Sequence, residues 1–176
     1  MKKTRRMLAL LLAMVMMLAL TVAAGAEEVT TTAAKSEITV IYTNDVHTHI
    51  EKDLSYATVS AMKQDYQKVG KQVLLVDAGD HIQGSTYGAM DEGKTIVQLM
   101  NAAGYDLATL GNHEFDYGMD RALATVKEAQ FPYVSCNFYH EKNGVAGDSV
   151  LDSYKVFDMN GTKVAFIGIT TPESFT

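Results

Sequence analysis

Apolar and polar positions along the chain fall into runs that change period several times. The first run, Met7 to Ala26, is uncharged. From Glu37 the pattern becomes regular: "EITVIYT" is β-branched and apolar and stops at Asn44-Asp45, and "LSYATVSAMKQDYQKV" carries apolar residues at helical spacing. "QVLLVDAG" reads as a second strand of buried type that stops at Asp80. A helix around Thr95 to Ala103 leads through Gly104 to a third short strand, "DLATL", which stops at Gly111-Asn112. Another helix, about Met119 to Ala129, ends before Pro132, where "PYVSC" starts a fourth strand. "YKVFDMNGTKVAFIGIT" reads as a hairpin with Asn160-Gly161 as its two-residue turn.

Strands that alternate with helices predict an α/β fold with mostly parallel strands, right-handed crossover helices and a C-terminal β-hairpin. The loops after the first three strands then emerge on one edge of the sheet, where ligands of such sheets bind.

The N-terminal run changes the picture of the chain's ends. Lys2, Lys3, Arg5 and Arg6 precede it and Ala24-Gly25-Ala26 closes it, the layout of a secretory signal peptide over residues 1–26. An uncleaved anchor is the competing reading, since about 20 apolar residues can just span a bilayer; the small residues favour cleavage after Ala26. Export predicts a secreted, periplasmic or cell-surface protein with no stable membrane span after cleavage. Residues 27–36, "EEVTTTAAKS", have little to bury and read as a flexible linker, leaving 37–176 as the folded part. Cleavage removes four of the 15 basic residues and none of the 21 acidic ones, leaving 11 against 21 and a net charge of −10. Such a surface argues against a nucleic-acid polymer as partner. The single Cys136 alternates with apolar residues and reads as a buried core thiol.

Three polar clusters sit at the predicted carboxyl ends: "TNDVHTH" (43–49), "DAGDHIQGS" (77–85) and "GNHEFD" (111–116). Singly, each has an ordinary reading as a turn or helix cap. Their recurrence on one edge favours a metal site. Oxygen and imidazole donors without a thiolate suit Zn, Mn, Fe or a similar divalent ion, and the donor count suggests two. Two dications a few ångströms apart need a bridging anion; Asp80 is the candidate bridge, with Asp45 and His47 on one ion and Asn112 on the other. Asn is neutral, so the pair keeps excess positive charge, and a small phosphate ester is the substrate that fits.

Asn44-Asp45-x-His47, Gly79-Asp80 and Gly111-Asn112-His113-Glu114, in this order, resemble the first half of a calcineurin-like metallophosphoesterase domain. "YTNDVH", "VDAGDHIQGS" and "TLGNHEFDYG" resemble most its secreted branch of 5'-nucleotidases, UDP-sugar hydrolases and 2',3'-cyclic-nucleotide phosphodiesterases. The resemblance implies hydrolysis of extracellular nucleotides by metal-activated hydroxide. It implies the same ligand set, Asp45, His47, Asp80 and Asn112, and a catalytic pair, His113 oriented by Asp116. Asp77, His81 and Glu114 are the candidates for support behind the ligands: Asp77 to tie down its loop, Glu114 to hold the turn or cap the next helix, and His81 to back the bridge or else lie partly exposed. His49 forms a His-x-His pair with His47 that the other two clusters make secondary. His140, in "FYHEKNG", reads as surface loop.

The family completes its two sites from a second half of the domain, with a further His and a Gly-His-x-His or Gly-His-x-Gln segment. After His113 the only histidine is His140, which has no such context. The expectation is a partial fold, half of a four-layer α/β/β/α sandwich, which exposes an apolar sheet face and is inactive or nearly so alone. The C-terminal half would be the missing partner. A non-catalytic metal-binding or interaction module that keeps the scaffold is the alternative.

Overall fold

The computed structural model describes residues 37–51 and 54–171, all within the compact unit Ser36–Thr176. The expected signal peptide, the expected linker and the closing "PESFT" lie outside the described residues.

Three parallel strands form the central sheet in the order β1-β2-β3: β1 (Ile38–Thr43), β2 (Gln72–Asp77) and β3 (Leu107–Ala108). Between β1 and β2 runs α1 (Tyr56–Lys68); between β2 and β3 run the single turn α2 (Thr86–Ala89) and α3 (Lys94–Ala103). Ser55 caps α1, its hydroxyl accepting the Thr58 amide at 3.3 Å. In α3, Ile96, Val97, Met100 and Ala103 make one buried stripe. That helix stops at Gly104, whose amide bonds the carbonyls of Met100 and Asn101. β2, the middle strand, is apolar on both faces because both are covered: Val73, Leu74 and Leu75 are all buried. Leu75 joins Ile96, Met100, Leu110, Phe131, Tyr133 and Phe138 in the core.

Beyond β3 the chain departs from the expected strand pattern. After α4 (Met119–Glu128), "PYVSC" makes only isolated bridges, Tyr133 to Ala108 and Val134 to Asp152. Pro132 has no amide to donate and contributes only its carbonyl, to Ala108. The segment then turns to other partners, with Ser135 bonded to Asp152 and Cys136 to Gly168. Cys136 is half-buried at this interrupted edge, less enclosed than its neighbours suggested.

Two antiparallel hairpins complete the described residues. The predicted one is β6 (Tyr154–Met159) with β7 (Thr162–Ile167), turning at Asn160-Gly161 with φ of 51° and 87°, the positive values a type I′ turn requires. The other, β4 (Tyr139–Lys142) with β5 (Val145–Ser149), replaces the surface loop expected around His140. Asn143-Gly144 makes the same kind of turn, with φ of 56° and 75°. Every residue of both strands is exposed, so there was no apolar alternation to read. Apolar side chains also stand exposed on β1 (Val40 and Tyr42) and on the β6–β7 hairpin (Tyr154, Val156 and Ile167).

Because Leu75 is fully enclosed at the centre of the sheet, Leu75→Ala is expected to lower the unfolding free energy by about 2–5 kcal/mol. Urea denaturation measures this. A loss below about 1 kcal/mol would contradict the placement of β2 at the core.

Candidate metal centre

Parallel pairing puts Thr43 beside Asp77, and Asp77 beside Ala108, so three strands end level. The loops that leave them carry the three polar clusters. They are tied to each other by main-chain bonds: Asp45 N donates to Gly79 O at 3.2 Å and His47 N to Asp80 O at 2.9 Å. Thr48, fully buried, receives the Ser85 amide on its hydroxyl at 2.7 Å and also bonds the Ser85 hydroxyl.

This stitching holds the backbone in unusual conformations. Asp45, His47, Thr48 and Asp80 all have φ between 46° and 60°, a left-handed region that costs a residue with a Cβ on the order of 1 kcal/mol or more. Gly79 and Gly111 let the second and third loops touch. A Cβ on Gly79 would lie 2.4 Å from the Gly111 nitrogen, and one on Gly111 would lie 2.3 Å from Asp80 Oδ1.

Asp45, His47 and Asp80 converge, each presenting a ligand atom within 4.8 Å of the other two. His47 Nδ1 lies 3.1 Å from the Gln83 carbonyl. A carbonyl only accepts, so Nδ1 donates its proton there, and Nε2, 3.7 Å from Asp45 Oδ1, is the ring nitrogen left to face a ligand. Burial pushes the Asp80 carboxyl above the ordinary carboxylate range; the His113 amide opposes this, while Glu114 and Asp45 add to it. Two adjacent carboxylates and an imidazole nitrogen form a donor set suited to a divalent cation. The fit is a matter of both chemistry and space, since the Asp80 oxygen occupies room that only a glycine at 111 leaves open.

The third loop brings Asn112, His113 and Asp116 to the same edge. Asp80 Oδ1 accepts the His113 amide at 2.8 Å, which fixes the start of the turn His113–Phe115 against the second loop. Asn112 makes no capping bond to that turn, so its side chain is not consumed as a cap. His113 Nδ1 bonds Asp116 Oδ2 at 2.8 Å, and this bond raises the imidazole above its ordinary value. The His113 and His47 rings meet edge to face with centroids 4.8 Å apart. His49 is exposed and does not join the three-residue group.

Beneath the loops lies a buried polar layer. Asp77 accepts the Gly79 amide at 2.9 Å, the Thr43 hydroxyl and the His81 ring. His81 is fully buried, its Nδ1 2.8 Å from Asp77 and its Nε2 2.8 Å from the Tyr133 hydroxyl. Glu114, equally buried, accepts main-chain amides from both the second and third loops. Thr48, Ser85, Tyr133 and the Gln83 carbonyl were not singled out from the sequence. Ser85 stood in a quoted motif, but pairings across 36 to 52 residues leave no local signal.

Residues 38–174 match the calcineurin-like phosphoesterase family. A snake venom 5'-nucleotidase of Gloydius brevicauda is 34% identical over 158 residues, covering 81% of this chain and 27% of the relative. Among solved structures, the NAD nucleotidase of Haemophilus influenzae superposes with a TM-score of 0.67 at 27% identity, covering 77% of this chain and 27% of that one. A 5'-nucleotidase precursor from Thermus thermophilus gives 0.66 at 30% identity, covering 77% and 29%. The chain thus spans about a quarter of the length of the relatives it matches. No helix among the described residues is long and apolar enough to cross a membrane.

Burial disfavours a charged His81, but Glu114 and Asp77 outweigh it and raise the imidazole to about 9. A value raised on folding stabilises fully below the ordinary histidine range near 6.5 and is lost as pH rises through about 9. The metal-free chain should therefore lose on the order of 2 kcal/mol between these limits. Urea unfolding in chelator across this range tests it, with His81→Gln expected to flatten the slope. Equal slopes in the two chains would contradict the buried ion pair.

Proposed function

The chain belongs to the calcineurin-like phosphoesterase family, and from that premise we propose that its site hydrolyses phosphate esters, nucleotides first among them, with two divalent ions. The observation that carries this is the convergence of Asp45, His47 and Asp80 on one point at the carboxyl edge. Asp45 and His47 would hold the first ion, Asp80 would be shared between the two, and Asn112 would serve the second. Zn, Mn and Fe all suit these donors.

When bound, the ions supply Lewis acidity to the phosphoryl oxygens and a water of lowered pKa. The remaining work belongs to the chain's own side chains. Asp116 favours the protonated form of His113, so a cation faces the charge that develops on the phosphoryl group. The proton on the far ring nitrogen can then pass to the leaving oxygen. Gln83 keeps His47 in the tautomer that offers Nε2. Residues 1–26 direct export, residues 27–36 tether the domain, and the nucleotides are extracellular.

A second reading, a metal-binding module without turnover, is favoured by one observation. Asp45, His47 and Asp80 converge and would give a first ion three protein ligands, whereas among the described residues only Asp80 and Asn112 are proposed for a second. Turnover by this chain is accordingly expected to be slow.

Phosphate release from AMP with added Mn2+ tests both readings. Release should stop with chelator and fall at least about tenfold in Asp80→Asn. Equal rates for the two chains would remove Asp80 from the mechanism, and Mn2+ binding with no release would favour the module.

A further inference from the structure

Glu114 stands behind the ligands, and its reach exceeds what its own turn needs. Its Oε2 accepts the amides of Gly111 at 2.6 Å and Asp80 at 2.8 Å; its Oε1 accepts those of His81 at 2.8 Å and Ile82 at 3.4 Å. A brace for the third loop alone would use only the Gly111 amide, three residues back. The other three amides belong to the second loop, more than 30 residues away in sequence. The link is reciprocal, since the Asp80 carboxylate in turn holds the His113 amide at 2.8 Å. Between these two bonds lie the glycines whose backbones nearly touch.

We propose that Glu114 is a positioning residue that sets the separation of the two metal positions by locking the Asp80 loop to the Asn112 loop, without itself binding metal. The inference rests on the two-metal reading. Geometry separates it from generic buried polarity: one carboxylate spans the bridging ligand's loop and the second ion's loop, and both its oxygens are used. Both oxygens accept, which only a carboxylate can supply. In Glu114→Gln one oxygen becomes an NH2 group, which turns donors toward either the Gly111 and Asp80 amides or the His81 and Ile82 amides. In Glu114→Asp the charge remains, but one methylene is lost and the span across the loops fails.

The test uses the full chain and Mn2+ alone, with free Mn2+ followed by electron paramagnetic resonance, in wild type, E114Q, E114D and I96V. Ile96 is fully buried on α3, outside the three loops in sequence, so I96V controls for loss of stability. Both Glu114 variants are expected to bind Mn2+ about ten- to a hundredfold more weakly, and I96V within about twofold of wild type. The amide proton resonances of Asp80, His81 and Gly111 should move upfield in the Glu114 variants and stay in place in I96V. If E114Q does not fold, E114D decides. Binding within twofold of wild type by a folded Glu114 variant would overturn the proposal, as would an equal loss in I96V. A wild type that binds no Mn2+ would instead overturn the two-metal reading, and the amide resonances would still report whether Glu114 joins the loops.

Discussion

Thr43, Asp77 and Ala108 stand side by side across the parallel sheet, and the site depends on that alignment. Parallel strands run in one direction, so each polar cluster that follows a strand is delivered to the same edge. A register change of one residue would move Asp77 off its hydrogen bond to Thr43 and take Val73, Leu74 and Leu75 out of the packing that buries them. The apolar content of β2, which is buried on both sides, makes such a slip costly. Core packing thereby fixes where chemistry can occur.

Alignment alone leaves three flexible loops. Their order comes from a second set of bonds, main-chain pairs such as Asp45 N to Gly79 O and His47 N to Asp80 O together with side chains that accept main-chain amides. Asp77, Glu114 and Thr48 together receive the amides of Gly79, Asp80, His81, Gly111 and Ser85. These bonds offset the cost of holding Asp45, His47, Thr48 and Asp80 in the left-handed region. Strain here has a use: it aims three donors at one point instead of letting them spread into solvent. The same buried layer gathers negative charge around His81, which is why a fully enclosed imidazole can remain protonated.

Much of this was legible in the residues. Apart from the single turn α2, the strands and helices up to α4 announced themselves by period and by their stopping residues, Asn44, Gly104 and Pro132. The three clusters could be placed on one edge because α/β alternation implies parallel strands. The hairpin at Asn143-Gly144 was missed because its strands are exposed at every position and carry no apolar alternation. "PYVSC" has the pattern of a strand and is one only bridge by bridge, since its partners pass from Ala108 to Asp152 to Gly168 along its length. At the site, ligand types were readable while their supports were not. Tyr133 lies 52 residues from His81, and the group that sets the His47 tautomer is a main-chain carbonyl with no residue signature.

The convergence of Asp45, His47 and Asp80 on a single cation is the central claim, and diffraction from a Zn2+-soaked crystal at the zinc absorption edge tests it most directly. The account predicts an anomalous peak about 2.0–2.2 Å from carboxylate oxygens of Asp45 and Asp80 and from His47 Nε2. Zinc ordered elsewhere on the chain, with no peak among these three side chains, would contradict it.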